Sequence, residues 1–272
     1  MCDMWEKPVQ YMPVSSIIKI FDLVLKDRPN SEIRLTGGEP CLHPHFEKII
    51  HEGKSRNLSI SVITNGTFLH NFSAIYDQID FVFLSIDSPN QNDQFRIRGI
   101  EIKRNFYKKL HVIANIVVSK LNITSIKKIP NWLKENGIET INLIPMKTRQ
   151  YMLPDLELEK SFVQVLSMCA SLNIKHFIED SPKKQTTSQA VIKAIKHRTS
   201  VSICHIQKII DFIDIDGRVF HCNSTPHRNG PPTIIENELC SYCQSYLSNC
   251  CDLSNLTYNI YKNEEVTNEN SL

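Results

Sequence analysis

The chain has 272 residues, 41% of them hydrophobic and 22% charged, the balance of a folded globular protein with one large domain or a large and a small one. Lysine and arginine number 31 against 29 acidic residues, a formal charge of +2. So slight a surplus gives no argument for nucleic acid or an acidic membrane as a partner. No apolar run approaches a membrane span, and Met1-Cys2-Asp3-Met4-Trp5 carries no basic stretch followed by an apolar one, so the expected location is cytoplasmic.

Residues 13–28 are patterned as a helix, with Ser15 or Ser16 as cap and Ile17, Ile20, Phe21 and Val24 on one face. Ser31 to Thr36 predicts a short strand. Phe46, Ile49 and Ile50 mark a helix ending near Gly53. Leu58 to Thr64 predicts the next strand, stopped by the turn signal Asn65-Gly66. Phe68 to Ile75 reads as a short helix and Phe81 to Asp87 as a nearly continuous apolar strand. Leu110 to Val118 repeats that theme, with Asn115 inside the run and able to point inward. Pro130 can open a helix that Gly137 closes, and Thr140 to Ile144 is a further strand stopped by Pro145. Residues 155–172 and 183–198 read as helices, and Asn173 to Phe177 as a sixth strand. Gln185 to Ser188 suits either loop or helix start. Beyond residue 200 short strands flank Asp216-Gly217, a hairpin signal.

Apolar strands alternating with helices at intervals of roughly 25–30 residues indicate βα units and a parallel sheet covered by helices. The fold class expected is therefore α/β, an open or partial (β/α) barrel. Such folds bind ligands at the carboxyl ends of their strands. Thr36 to Glu39, Thr64-Asn65, Ser85 and Asp87 collect there. Within Leu35-Thr36-Gly37-Gly38-Glu39-Pro40 two glycines let the backbone approach a ligand closely, and Pro40 stiffens the turn that presents Glu39.

The nine cysteines are the compositional anomaly, and six of them follow residue 200: Cys204, Cys222, Cys240, Cys243, Cys250 and Cys251. Clustered cysteines in a reducing compartment point to metal rather than to disulfides. The Asp216-Gly217 hairpin can bring Cys204 toward Cys222, and Cys240-Ser241-Tyr242-Cys243 is a ligand pair in a tight turn. Four thiolates suit tetrahedral zinc or an iron–sulfur cluster equally. Cys250 and Cys251 stand as spare ligands, and Cys169, on an apolar helix face, reads as core.

With these motifs in order, the chain resembles the radical S-adenosylmethionine (SAM) enzymes over about residues 1–250. Thr36-Gly37-Gly38-Glu39-Pro40 is similar to the family's turn for the SAM amino group. Ile63-Thr64-Asn65-Gly66, Leu84-Ser85-Ile86-Asp87, the segment from Asp93 to Arg98-Gly99, and Asn115-Ile116-Val117-Val118 are similar to the segments that follow. The block Cys204…Gly217…Cys222…Cys240-x-x-Cys243 resembles a SPASM/Twitch extension carrying one auxiliary 4Fe–4S cluster. The chain departs from the family at its start. Met1-Cys2-Asp3-Met4-Trp5 looks like the end of the three-cysteine cluster motif, with Cys2 as its third ligand and the first two cysteines and first barrel strand missing.

Polar composition predicts a disordered tail over 257–272, and the resemblance implies a partial barrel over residues 1–198 and a cysteine-rich domain over 199–256. It implies Gly37, Gly38, Glu39, Pro40, Asn65, Ser85, Asp87 and Asn115 as SAM contacts. Cys2 would belong to the catalytic 4Fe–4S cluster, and Cys204, Cys222, Cys240 and Cys243 to the auxiliary one. The implied reaction is reductive cleavage of SAM to a 5′-deoxyadenosyl radical that removes a hydrogen from a peptide or a small molecule. Flavodoxin or ferredoxin is the implied reductant. A chain that kept only Cys2 is expected to be inactive as written, an N-terminally truncated remnant; a zinc-binding module without catalysis is the other alternative.

Overall fold

The computed structural model describes residues 9–90, 109–146, 149–177, 185–189, 192, 212–217 and 219–220. Cys2, the segment 93–99, every cysteine beyond residue 200, the SPASM/Twitch-like block and the tail lie outside these residues. Helix α1 spans Val14–Asp27 and buries Ile17 and Phe21, as the apolar spacing requires. Its start differs from expectation. Pro13 occupies the capping position with no side-chain cap, and its carbonyl accepts the N–H groups of Ser16 and Ile17 at 2.9 and 3.1 Å. The proline ring fixes φ at the helix entry, so both serines fall inside the first turn.

Strand β1 (Glu32–Leu35) follows, then a 3-10 turn at Pro40–Leu42, α2 (Phe46–Ser55) and β2 (Ser59–Thr64). The short helix expected over Phe68 to Ile75 is found at Leu69–Gln78, 3-10 in character and broken at Phe72 (φ −110°, ψ 29°). At this break Phe72 packs its ring 4.8 Å from that of Phe46. Then come β3 (Phe81–Ser85), β4 (Val112–Val118), α3 (Ile129–Glu135), β5 (Thr140–Pro145), α4 (Asp155–Ser171) and β6 (Lys175–Phe177). Gln185–Thr187, expected as loop or as part of a helix, forms strand β7 antiparallel to β6. Its two adjacent threonines suit an edge strand. A separate two-stranded hairpin joins β8 (Phe212–Ile213) to β9 (Val219–Phe220), with Gly217 at φ 79° in the turn that glycine permits.

The main sheet runs β1-β2-β3-β4-β5-β6-β7, and its first six strands are parallel. One face is the main core. Ile60, Val62, Leu84, Ile86, Ala114, Ile116, Val118 and Ile141 are fully buried there beneath the helices. A Cβ on Gly53 of α2 would come within 2.6 Å of Ile60 Cδ1 and 3.4 Å of Phe21, so that glycine lets α2 lie close on β2 and α1.

The opposite face curls. Six flat strands would set β1 and β6 about 24 Å apart at the usual strand spacing. Yet the Arg34 guanidinium of β1 lies 5.6 Å from the Phe177 ring of β6 and 4.1 Å from that of Phe83. Phe83 and Phe177 meet edge to face at 4.9 Å. These contacts require the sheet to bend around them, and with Ile113 they form a second, small core. The architecture is an α/β partial barrel.

Candidate active site at the strand ends

Glu39 is the center of the site, and its backbone is extended (φ −131°, ψ 109°) just before the Pro40–Leu42 turn. Its Oε1 accepts the Thr64 hydroxyl at 2.7 Å and the Cys41 N–H at 3.2 Å. Its Oε2 accepts the Asn65 N–H at 2.8 Å. Three donors from two chain segments therefore fix the carboxylate over the end of β2. A carboxylate offers about four acceptor positions, so capacity for a cation is left. Thr64 is itself held, its hydroxyl accepting the Gly66 N–H at 3.0 Å. Asn65 Oδ1 closes its own turn by accepting the Thr67 N–H at 2.9 Å.

Gly37 has φ 144°, a conformation that disfavors any side chain, and a Cβ added at Gly37 or Gly38 would meet no atom within 4 Å. The turn thus presents bare backbone to open space beside Glu39. Cys41 is buried behind it, 3.9 Å from the Thr64 hydroxyl. Burial first, then the Glu39 charge, raises its thiol pKa far above the ordinary value. Burial likewise pushes the Cys169 thiol up to about 12. Both thiols are free and buried, which agrees with the core role expected of Cys169. Among the described residues, no group of three or more His, Cys, Asp and Glu could hold a metal.

A second polar group lies on the concave face. Ser85 is in register with Asn115, and Asn115 with Asn142. Asn142 Nδ2 donates to Asn115 Oδ1 at 2.9 Å. Asn115 sits midway along β4, yet it is level with the last residue of β3 because β4 runs three residues further. Its inward position follows from that register. Asp87 is buried, with Oδ1 accepting the Val117 N–H at 3.3 Å and its carbonyl accepting Asn122 Nδ2 at 3.0 Å. It braces the end of β3 against β4. Sequence reasoning passed over Asn142; the signal available was an asparagine in an apolar strand, as at Asn115.

With this geometry in place, comparison with known proteins decides the family. The Radical SAM superfamily model matches residues 1–157. The chain belongs to the Radical SAM superfamily. It is similar to an S-adenosylmethionine-dependent nucleotide dehydratase of Thermoplasmatales archaeon (strain ISO4-H5), at 27% identity covering 41% of this chain and 41% of the relative. It is also similar to a probable GTP 3′,8-cyclase of Metallosphaera sedula, at 25% identity covering 63% of this chain and 59% of the relative. The matched region thus spans about half the length of these curated relatives, 41% and 59%.

Among solved structures, Streptococcus suis SuiB bound to its precursor peptide SuiA aligns with TM-score 0.60 at 11% identity, over 84% of this chain and 56% of SuiB. Native anSMEcpe with AdoMet and a peptide bound aligns with TM-score 0.59 at 16% identity, over 82% and 69%. These two likenesses show the radical SAM fold. No helix among the described residues is long and apolar enough to cross a membrane.

Proposed function

We propose that the rim formed by Gly37, Gly38, Glu39 and Pro40 takes the methionine end of SAM, with Glu39 pairing to its ammonium. The observation that carries this is the three-donor fixation of the Glu39 carboxylate beside two glycines open to space. A preset anion facing an open turn fits a cationic amino group, and a charge-assisted bond there is strong. Asn65, Ser85, Asn115 and Asn142 offer uncharged donors and acceptors suited to a ribose and its neighbors. Asp87 contributes through the brace it forms. Cys2 is assigned to the catalytic 4Fe–4S cluster. Cys204, Cys222, Cys240 and Cys243 are assigned to one auxiliary cluster, with Cys250 and Cys251 in reserve.

When bound, SAM and the reduced cluster would supply a 5′-deoxyadenosyl radical for removing a hydrogen from substrate. The protein's own part is to orient SAM and to keep water from the strand ends. The substrate is a peptide or a small molecule. SuiB and anSMEcpe, both solved with peptides, support the first class; the nucleotide-directed names of the curated relatives support the second. A flavodoxin or ferredoxin is proposed as electron donor.

The test is titration of SAM into anaerobically purified protein, with metal analysis of the same sample. Binding that Glu39→Gln weakens, together with iron and sulfide, supports the reading. Zinc alone with no SAM binding supports a non-catalytic zinc module instead.

A further inference from the structure

The turn that carries Glu39 has a second side. Leu42 N–H donates to the Glu39 carbonyl at 3.1 Å and His43 N–H to that of Pro40 at 3.0 Å. Glu39 and His43 thus belong to one tight unit. His43 faces the segment before α1. Its Nε2 lies 3.0 Å from the Met12 carbonyl, and its Nδ1 accepts the His45 N–H at 3.1 Å. An accepting Nδ1 leaves the ring proton on Nε2, so Nε2–H donates to Met12. Tyr11 adds an edge-to-face contact with the His43 ring at 5.2 Å.

We infer that His43 is a positioning residue that pins the segment before α1 to the turn holding Glu39. The inference rests on reading Glu39 as the ammonium site. Cys2 lies ten residues before Met12 in the chain. One clasp therefore joins the segment leading from the assigned cluster ligand to the amino-group site. The physical reason is the turn's stiffness. Pro40 and the two turn bonds leave Glu39 and His43 little freedom relative to one another. A pull on Met12 is then transmitted to the Cys41 and Asn65 amides that hold the carboxylate.

The test uses the full chain as wild type, His43→Ala and His43→Gln. His43 is half-buried at the surface of the fold, so each variant should fold. Gln retains an N–H donor for Met12. Two measurements on ligand-free protein decide: chymotryptic cleavage after Tyr11, mapped by mass spectrometry, and amide exchange at Cys41 and Asn65. Losing one hydrogen bond predicts about three- to tenfold faster cleavage and exchange in His43→Ala, with Gln restoring most of both and the melting temperature barely moving. Unchanged cleavage in His43→Ala would overturn the tether. Faster cleavage with Cys41 and Asn65 exchange unchanged would overturn its hold on Glu39. Gln behaving like Ala would show that the Nε2 donor is not the operative contact. SAM titration of the same proteins separates the two readings. Wild type that binds no SAM defeats the site assignment, while cleavage and exchange still decide the clasp.

Discussion

The two faces of the sheet are built on different chemistry. Beneath the helices, β2 to β5 present Ile60, Val62, Leu84, Ala114, Ile116 and Ile141, all fully buried. On the concave face the same strands present Ser61, Phe83, Ser85, Asn115 and Asn142, joined by Arg34 and Glu32 of β1. Arg34 donates to Glu32 at 2.8 Å, and the Ser61 hydroxyl donates to the same carboxylate oxygen at 2.6 Å. One face supplies cohesion through area removed from water. The other spends part of that area on polar groups that must satisfy each other, and its strand ends carry the candidate site. Stability and chemistry are therefore separable by mutating opposite faces of the same strands.

The largest effect expected is on the helix-covered face. Ile116→Ala should cost about 2–5 kcal/mol of stability through its cavity, read as a lowered urea midpoint at unchanged slope. A smaller loss would mean that the helices close over the gap.

Next is His176, also on that face, whose Nε2 accepts the Leu143 N–H at 3.2 Å. Burial lowers its pKa from 6.5 to about 4, partly offset by a backbone bond at Phe177. Since the unfolded chain binds this proton more tightly, the stabilization is complete above pH 6.5 and is lost as pH falls toward 4. Unfolding measured across that window should show a loss on the order of 3 kcal/mol. His176→Gln should flatten the slope; a slope that persists would assign it to another group.

At the concave rim, Glu39→Gln should weaken SAM binding about 10- to 100-fold, the loss of a charge-assisted contact. Its unfolding midpoint should move far less than that of Ile116→Ala. Equal loss of stability in the two variants would erase the distinction between the faces. The smallest effect belongs to Arg34→Met, which keeps the stem over Phe83 but removes the charge. With its ion pair to the mostly buried Glu32 lost as well, about 1–2 kcal/mol is expected, checked by urea unfolding.

Much of this was legible in the chain. The apolar runs at Leu58–Thr64, Phe81–Asp87 and Leu110–Val118 marked parallel strands because strands buried beneath helices leave little polar alternation. Gly37-Gly38-Glu39-Pro40 marked the rim because it follows a strand and stands in order with the other segments that resemble the radical SAM family; its four residues alone would also suit a plain tight turn. The short helix expected over Phe68 to Ile75 is present as a broken 3-10 segment, whereas residues 185–187 were misread as helix or loop, because pairing with β6 is a tertiary interaction.

By itself, then, the sequence determined the order of strands and helices, the glycine turn and the acid it presents, since periodicity and turn chemistry act over a few neighboring residues. The tertiary structure decided what local rules cannot reach. It set the curl that brings Arg34 to Phe177, and the register that pairs Asn115 with Asn142. It also made the ends of two segments, at Thr64-Asn65 and Cys41, fix one carboxylate in place. Each of these depends on residues far apart in the chain, and their meeting is set by packing rather than by spacing.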